Sequence, residues 1–252
     1  METTSPASAL SRSRKPRPEA LRGLMDALPV GAGFVPFALV LGAQAAQKGL
    51  SIVEVPLLTG LNFGGGSEFA AIALWTSPPH VLLIAAVAFL INSRHLLMGA
   101  VLAPHLQHLP KRKVLPALAI MCDESWALAI SDVQRRQLAG ERPAFSLPYY
   151  LGAAIPLYLT WLVFTFVGAF VGPLIGDIEA WGLHLAFPAV ILVLLRGMWR
   201  GLRPALPWLV SLVFAAGTYL AAPGGWYVAA GAVSGLVAAW FMSAGKSAAR
   251  RA

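Results

Sequence analysis

The sequence predicts an all-α fold, a polytopic transmembrane helix bundle of about eight hydrophobic segments, some of them broken or re-entrant. Three observations predict it. The chain of 252 residues is 58% hydrophobic and only 12% charged, and its mean hydropathy is +0.69. Soluble domains carry roughly twice that charged fraction, because a water-facing shell needs it. The apolar residues lie in long runs without polar helical faces, so the surface they make suits lipid rather than water. The basic residues cluster at the two chain ends and in short loops between runs, which is how topology-setting charge is distributed.

The first element is a tail. Residues 1–22 are rich in Ser, Pro and Arg and contain no apolar run. A cleavable signal peptide needs such a run, so the tail reads as a disordered basic cytoplasmic segment. The transport-type membrane region is expected over residues 23–243, and residues 244–252 form a second basic cytoplasmic tail.

Apolar runs follow near 24–47, 52–76, 80–103, 114–133, 148–175, 180–195, 204–221 and 224–243. About 20 residues of helix cross the hydrocarbon core. Unpaired backbone groups are excluded from lipid, which demands helices, and the short alternating strands of a barrel are absent from the pattern. Arg12, Arg14, Lys15, Arg17 and Arg22 place the N-terminus in the cytoplasm. Arg135, Arg136 and Arg142, then Arg196, Arg200 and Arg203, mark cytoplasmic loops, and Lys246, Arg250 and Arg251 keep the C-terminus inside. Asp177 and Glu179 suit an outer loop. With eight full crossings, Lys111, Arg112 and Lys113 face outward against the positive-inside tendency. If 52–76 and 114–133 are broken or re-entrant, that loop moves inside and every other assignment survives.

Polar groups at membrane depth carry the chemistry. In the second run, Asn62 precedes Phe63, the glycines Gly64, Gly65 and Gly66, then Ser67 and Glu68. Consecutive glycines weaken a helix, and an unwound segment exposes backbone groups that transporters use to hold substrates or ions. Glu68 is costly in lipid unless paired, hydrated or protonated. The structural alternative is close helix packing through small residues, with Glu68 in a structural hydrogen bond. In the third run, Asn92, Ser93, Arg94 and His95 are consecutive. Arg94 is suited to a carboxylate and His95 to proton transfer near neutral pH; the structural reading is a salt bridge such as Arg94 with Glu68. In the fourth run, Asp123 and Glu124 adjoin Cys122. They read either as a proton relay or as partners of Arg94. Asp26 and Asp132 lie near run ends and read as solvated. Pro36, Pro156 and Pro188 lie inside runs and are expected to kink them, and the first span, with Pro29 as well, to be irregular. The eight Trp residues read as interfacial anchors.

Several classes are excluded. The net charge of +8 follows from topology-setting loops, so no nucleic-acid binding is expected. Cys122 is the single cysteine and forms no disulfide framework. His80, His105, His108 and His184 lack metal-ligand spacing, so no metal and no cofactor is expected. There is no GxxxxGK[ST] nucleotide loop and no hydrolase constellation, so the chain does not read as an enzyme.

These residues resemble the AzlC family, the large subunit of branched-chain amino acid exporters. The resemblance begins with Gly23-Leu24-Met25-Asp26-Ala27-Leu28-Pro29 and Pro36-Phe37. It is strongest from Phe63 to Leu106, through the Gly-Ser-x-Phe-Ala-Ala stretch, Ile91-Asn92-Ser93-Arg94-His95-Leu96-Leu97-Met98 and Ala103-Pro104-His105-Leu106. It continues through Asp123-Glu124, Gly152, Pro156, Trp161, Gly168, Asp177, Gly182-Leu183 and Phe187-Pro188. One departure stands at the second-run break, where many members look like Gly-Ser-Ala-Gln-Phe and this chain reads Gly-Gly-Ser-Glu-Phe. The resemblance implies a small AzlD-type membrane subunit as partner and export driven by an ion gradient.

The expected function is therefore secondary active export of branched-chain or related neutral amino acids across a bacterial inner membrane, coupled to protons. Asn62, Gly64, Gly65, Gly66, Ser67, Glu68, Asn92 and Arg94 are the expected substrate-binding residues. Glu68, His95, Asp123 and Glu124 are the expected proton-coupling residues. The rival readings are a permease subunit driven by a separate ATPase and a non-transporting membrane scaffold.

Overall fold

A computed structural model describes residues 18–175, 201–222 and 226–249, with the single positions 192, 196 and 199. The run at 180–195, with Asp177, Glu179, His184 and Pro188, lies outside the described residues, as does most of the N-terminal tail. All regular structure among the described residues is helical.

Helix α1 spans Glu19–Gln47, beginning inside the stretch assigned to the tail. It continues through Pro29 and Pro36 without interruption, so the expected irregular first span is not seen. α2 (Glu54–Asn62) and α3 (Gly66–Ala73) divide the second run. α4 (Val81–Asn92) and α5 (Arg94–Leu106) are separated by Ser93 alone. α6 (Lys111–Ala119) and α7 (Asp123–Leu138) divide the fourth run. α8 spans Leu147–Ile175, α9 Leu202–Ala221 and α10 Trp226–Ala249.

Among the described residues, four stretches are long and apolar enough to cross a membrane: Glu19–Gln47, Val81–Leu106, Leu147–Leu174 and Leu202–Ala221. Trp226–Met242 is a shorter apolar helix. A count of about eight segments is thus not confirmed. At 1.5 Å per residue, α2 and α3 are each roughly 12–14 Å long, and neither alone crosses a ~30 Å core. Large apolar side chains face outward all along the bundle, among them Leu61 and Leu82 at 86% exposure and Phe89 at 74%. Water would not tolerate so much contiguous apolar surface, and lipid does.

The scaffold is the pair α1 and α8, packed along their whole length in parallel. Gly23 lies against the Tyr149 carbonyl and Gly152 against that of Ala20; further along, Gly42 meets Thr165 and Gly168 meets Leu39. Partners advance together on the two helices, which fixes the parallel sense. A Cβ at any of these four glycines would overlap the neighbouring backbone. Missing side chains are what let the helix axes approach so closely. The α9–α10 pair is antiparallel, with Gly231 against Ala215 and Gly235 against Pro207.

One core gathers on the α1–α8 pair, around Leu41, Val55, Phe63, Ile72, Leu157 and Trp161. A second gathers on α5–α7 and the start of α8, around Leu102, Met121, Val133 and Tyr150. The two broken helices lie one in each core, with α4 packed on α3 and α5 on α7.

Candidate functional site

The sequence dictates the first break locally. Phe63 takes a left-handed conformation (φ 40°, ψ 46°) and Gly65 has φ 53°, a pair of torsions that helical geometry cannot contain. The break leaves backbone groups without helical partners at membrane depth, where each must find another. The Gly64 N–H donates to Oε1 of Glu68 (3.1 Å), so Glu68 caps the start of α3 from its first turn, as capping acids do. Oε2 of Glu68 accepts from the indole N–H of Trp161 (2.7 Å). The Gly64 carbonyl accepts from Arg94 (2.8 Å) and the Gly60 carbonyl from the Tyr158 hydroxyl (2.8 Å).

The second break is resolved in the same way from different residues. Cys122 is extended (φ −122°, ψ 174°) and α7 starts at Asp123. Ser125 accepts from the Cys122 N–H (3.0 Å), capping α7. The Ala117 carbonyl at the end of α6 accepts from the Tyr150 hydroxyl (3.0 Å), and the Met121 carbonyl faces Nε2 of His95 (3.2 Å).

Arg94 and His95 thus sit between the two breaks and engage both. Arg94 pairs with Asp123 (3.1 Å), both side chains being partly exposed. The expected pairing of Arg94 with Glu68 is not formed: Glu68 is fully buried and held by Trp161 and Gly64. His95 has both ring nitrogens against carbonyl oxygens, Nδ1 to Asn92 (3.1 Å) and Nε2 to Met121 (3.2 Å). A neutral imidazole donates through one nitrogen and an imidazolium through both. His95 thus links the end of α4 to the α6–α7 break.

A polar string completes the site. Asn92 donates to Oδ1 of Asn62 (2.7 Å), and Asn62 donates to the Ser67 hydroxyl (2.8 Å). A Cβ at Gly64 would overlap Ser67 and Asn92, whereas nothing approaches one at Gly65 and only Ile91 does at Gly66. Two buried polar atoms remain without partners here: Oδ1 of Asn92, an acceptor, and Nε of Arg94, a donor. Ser93 and Arg94 also form one wall of a cavity of about 1210 Å³ against α9 and α10, lined otherwise by apolar residues such as Leu97, Trp208 and Leu212, with Arg196 on its border.

Sequence reasoning missed Trp161, Tyr150 and Tyr158, which α8 contributes to the breaks. Trp161 is a buried site residue and not an interfacial anchor. Asp132 also differs from its solvated reading. It is 4% exposed and is held by Arg22 (2.5 Å), Arg136 (2.9 Å) and Arg135. Arg136 extends the network to Glu19 and Glu141. Asp26, which is exposed, accepts from the Tyr149 hydroxyl (2.7 Å). These groups tie together the first turns of α1 and α8 and the end of α7, far along α7 from Asp123.

A family model described as AzlC protein matches residues 29–175, which takes in both breaks and leaves α9 and α10 outside the match. A relative from Archaeoglobus fulgidus, described as an uncharacterized membrane protein, is 26% identical over 182 residues, covering 71% of this chain and 76% of its own. No solved structure matches the chain.

Proposed function

The chain belongs to the AzlC family, and on that premise we propose that it is a secondary active exporter of branched-chain or related neutral amino acids. It works with a small AzlD-type membrane subunit and is coupled to protons. Its basic ends lie in the cytoplasm of a bacterial cell, and its spans cross the inner membrane.

The observation that carries this reading is the pair of unpartnered atoms on either side of Ser93, Oδ1 of Asn92 and Nε of Arg94. Buried polar atoms are nearly always satisfied. An acceptor and a cationic donor are the chemical complement of an α-ammonium and an α-carboxylate. The adjoining cavity supplies apolar walls for the side chain. The broken helix flanks the site, and transporters use such interruptions to hold their substrates. His95 carries the coupling proton in this reading. Charged, it holds Asn92 and Met121 together; neutral, it releases one of them and loosens one break from the other.

The test is efflux of labelled valine or leucine from cells expressing the chain with its partner subunit. Glu68→Gln and Arg94→Ala should abolish efflux at unchanged protein level. Unchanged efflux in both variants would sink the assignment. Efflux that follows ATP hydrolysis and ignores the proton gradient in vesicles would favour an ATPase-driven permease instead.

A further inference from the structure

Among the described residues, four arginines are ion-paired within the fold: Arg22, Arg135 and Arg136 around Asp132, and Arg94 with Asp123. Lys111, Arg112 and Lys113 are not. All three are exposed on the first turn of α6, and none has a carboxylate partner among the described residues. Beside them a groove of about 460 Å³ runs between α6 and α8, with Arg112 and Lys113 at one end and Pro116, Ala117, Ile120 and Leu151 as its apolar walls.

The groove does not end there. Leu147 and Leu151 also border a second trough of about 740 Å³ between α1 and α8, lined by apolar residues and backbone from Leu21 and Leu24 to Ile155 and Pro156. Leu147 also borders the pocket that contains Glu19, Arg136 and Arg142, so the cations adjoin the ion-paired end of the bundle. From Leu147 to Pro156 the trough follows nine residue steps of helix, about 14 Å. That is half of a ~30 Å hydrocarbon core, the depth of one leaflet.

Three free cations at the polar end of two adjoining apolar troughs, one leaflet deep, match one kind of molecule. We propose that this face binds an anionic two-chain phospholipid, with its phosphate on Lys111, Arg112 and Lys113 and its acyl chains along the α6–α8 and α1–α8 troughs. Basic pockets between membrane helices take anionic headgroups by this chemistry. The bound lipid brackets α6, one half of the second broken helix, against the α1–α8 pair. The proposal is independent of the substrate reading, since it involves none of those residues.

The experiment uses the full chain purified in neutral detergent, titrated with phosphatidylglycerol or phosphatidylcholine and followed by native mass spectrometry. Phosphatidylglycerol should be retained about tenfold more tightly, and the preference should fall as salt rises. The triple variant K111Q/R112Q/K113Q, altered only at exposed positions, should lose the preference, whereas Lys48→Gln at the other end of α1 should keep it. Equal retention of the two lipids by the unaltered chain would overturn the proposal, as would a preference that survives in the triple variant. Displacement of the lipid by millimolar glycerol phosphate would also overturn it, because a headgroup alone would then suffice without the troughs. Efflux assays are not needed for any of these readouts.

Discussion

Trp161 on α8 donates its indole N–H to Oε2 of Glu68 at 2.7 Å, and Glu68 in turn takes the Gly64 N–H at 3.1 Å. One buried carboxylate therefore connects the long scaffold helix to the unwound segment of its neighbour. Burying an acid in a bundle core is costly unless its oxygens are served by donors. Here each oxygen has one. The acid is both a cap for α3 and the tie that fixes the break against α8.

Trp161→Phe removes the donor while keeping an aromatic ring beside Phe34, which stacks on Trp161 edge-to-face at 5.5 Å. Leaving a buried acceptor unpaired costs about 1–3 kcal/mol. The variant should melt several degrees lower in detergent and export more slowly. Glu68→Gln keeps one acceptor but turns an amide NH2 toward one of the two donors. The two changes should be non-additive by more than ~0.5 kcal/mol in a double-mutant cycle, as expected for contacting residues. Additive effects on thermal stability would show that the 2.7 Å contact carries no coupling.

Gly64→Ala tests the polar string. The added methyl has Ser67 and Asn92 in its way, and overpacking of this kind costs about 1–3 kcal/mol. The Asn62–Ser67 and Asn92–Asn62 hydrogen bonds (2.8 and 2.7 Å) must part to admit it. Export should fall by more than tenfold. Gly66→Ala, where only Ile91 stands near, at 4.0 Å, should retain most of it. Equal activity of the two alanine variants, measured as initial efflux rate per transporter, would refute the role given to Gly64.

The two breaks were not equally legible in the sequence. Gly64, Gly65 and Gly66 announce the first, and Gly65 takes a positive φ of 53° that glycine adopts freely, although Phe63 takes one as well. The second has no glycine: Cys122 is simply extended before Asp123, and only the pair of acids in an apolar run and the misplaced charge of Lys111, Arg112 and Lys113 hinted at it. The partners were less legible still. Arg94 finds Asp123 and His95 finds the Met121 carbonyl across more than 25 residues, and no local pattern encodes that choice. Tyr150, Tyr158 and Trp161 look like ordinary members of a long apolar helix. Their polar tips matter only because glycines bring α8 against α1, so that the same face also reaches the breaks. Asp132 read as solvated because it adjoins a charged loop, and its burial arises only where three helix ends converge.

Asp132 is the next test. Its carboxylate is 4% exposed and sits among three guanidinium groups. Asp132→Asn leaves Arg136, itself 7% exposed, without its main buried counter-charge. Breaking a buried pair from one side costs about 3–5 kcal/mol. The variant should be poorly expressed or should melt far below the parent. The paired change Asp132→Leu with Arg136→Leu should recover part of the loss, since it removes both desolvated charges together. Failure of the paired change to improve on Asp132→Asn, by thermal melting in detergent, would contradict this account.

The parallel α1–α8 packing makes the last prediction. At Gly168 a Cβ would run into the Leu39 backbone, and at Gly42 into that of Thr165. Backbone cannot swing aside as a side chain can, so the helices must separate along a shared length of 29 residues each. Separation also draws Trp161 and Tyr158 away from the first break, so stability and transport should be lost together. Gly168→Val and Gly42→Val should therefore fail in both melting and efflux assays. Gly99→Ala on α5 is the matched control: nothing lies within 4 Å of the added methyl, and alanine favours a helix over glycine by about 1 kcal/mol. It should leave efflux intact and raise Tm slightly. If Gly168→Val were tolerated as well as Gly99→Ala, the close α1–α8 approach would not be what positions the α8 side chains at the break.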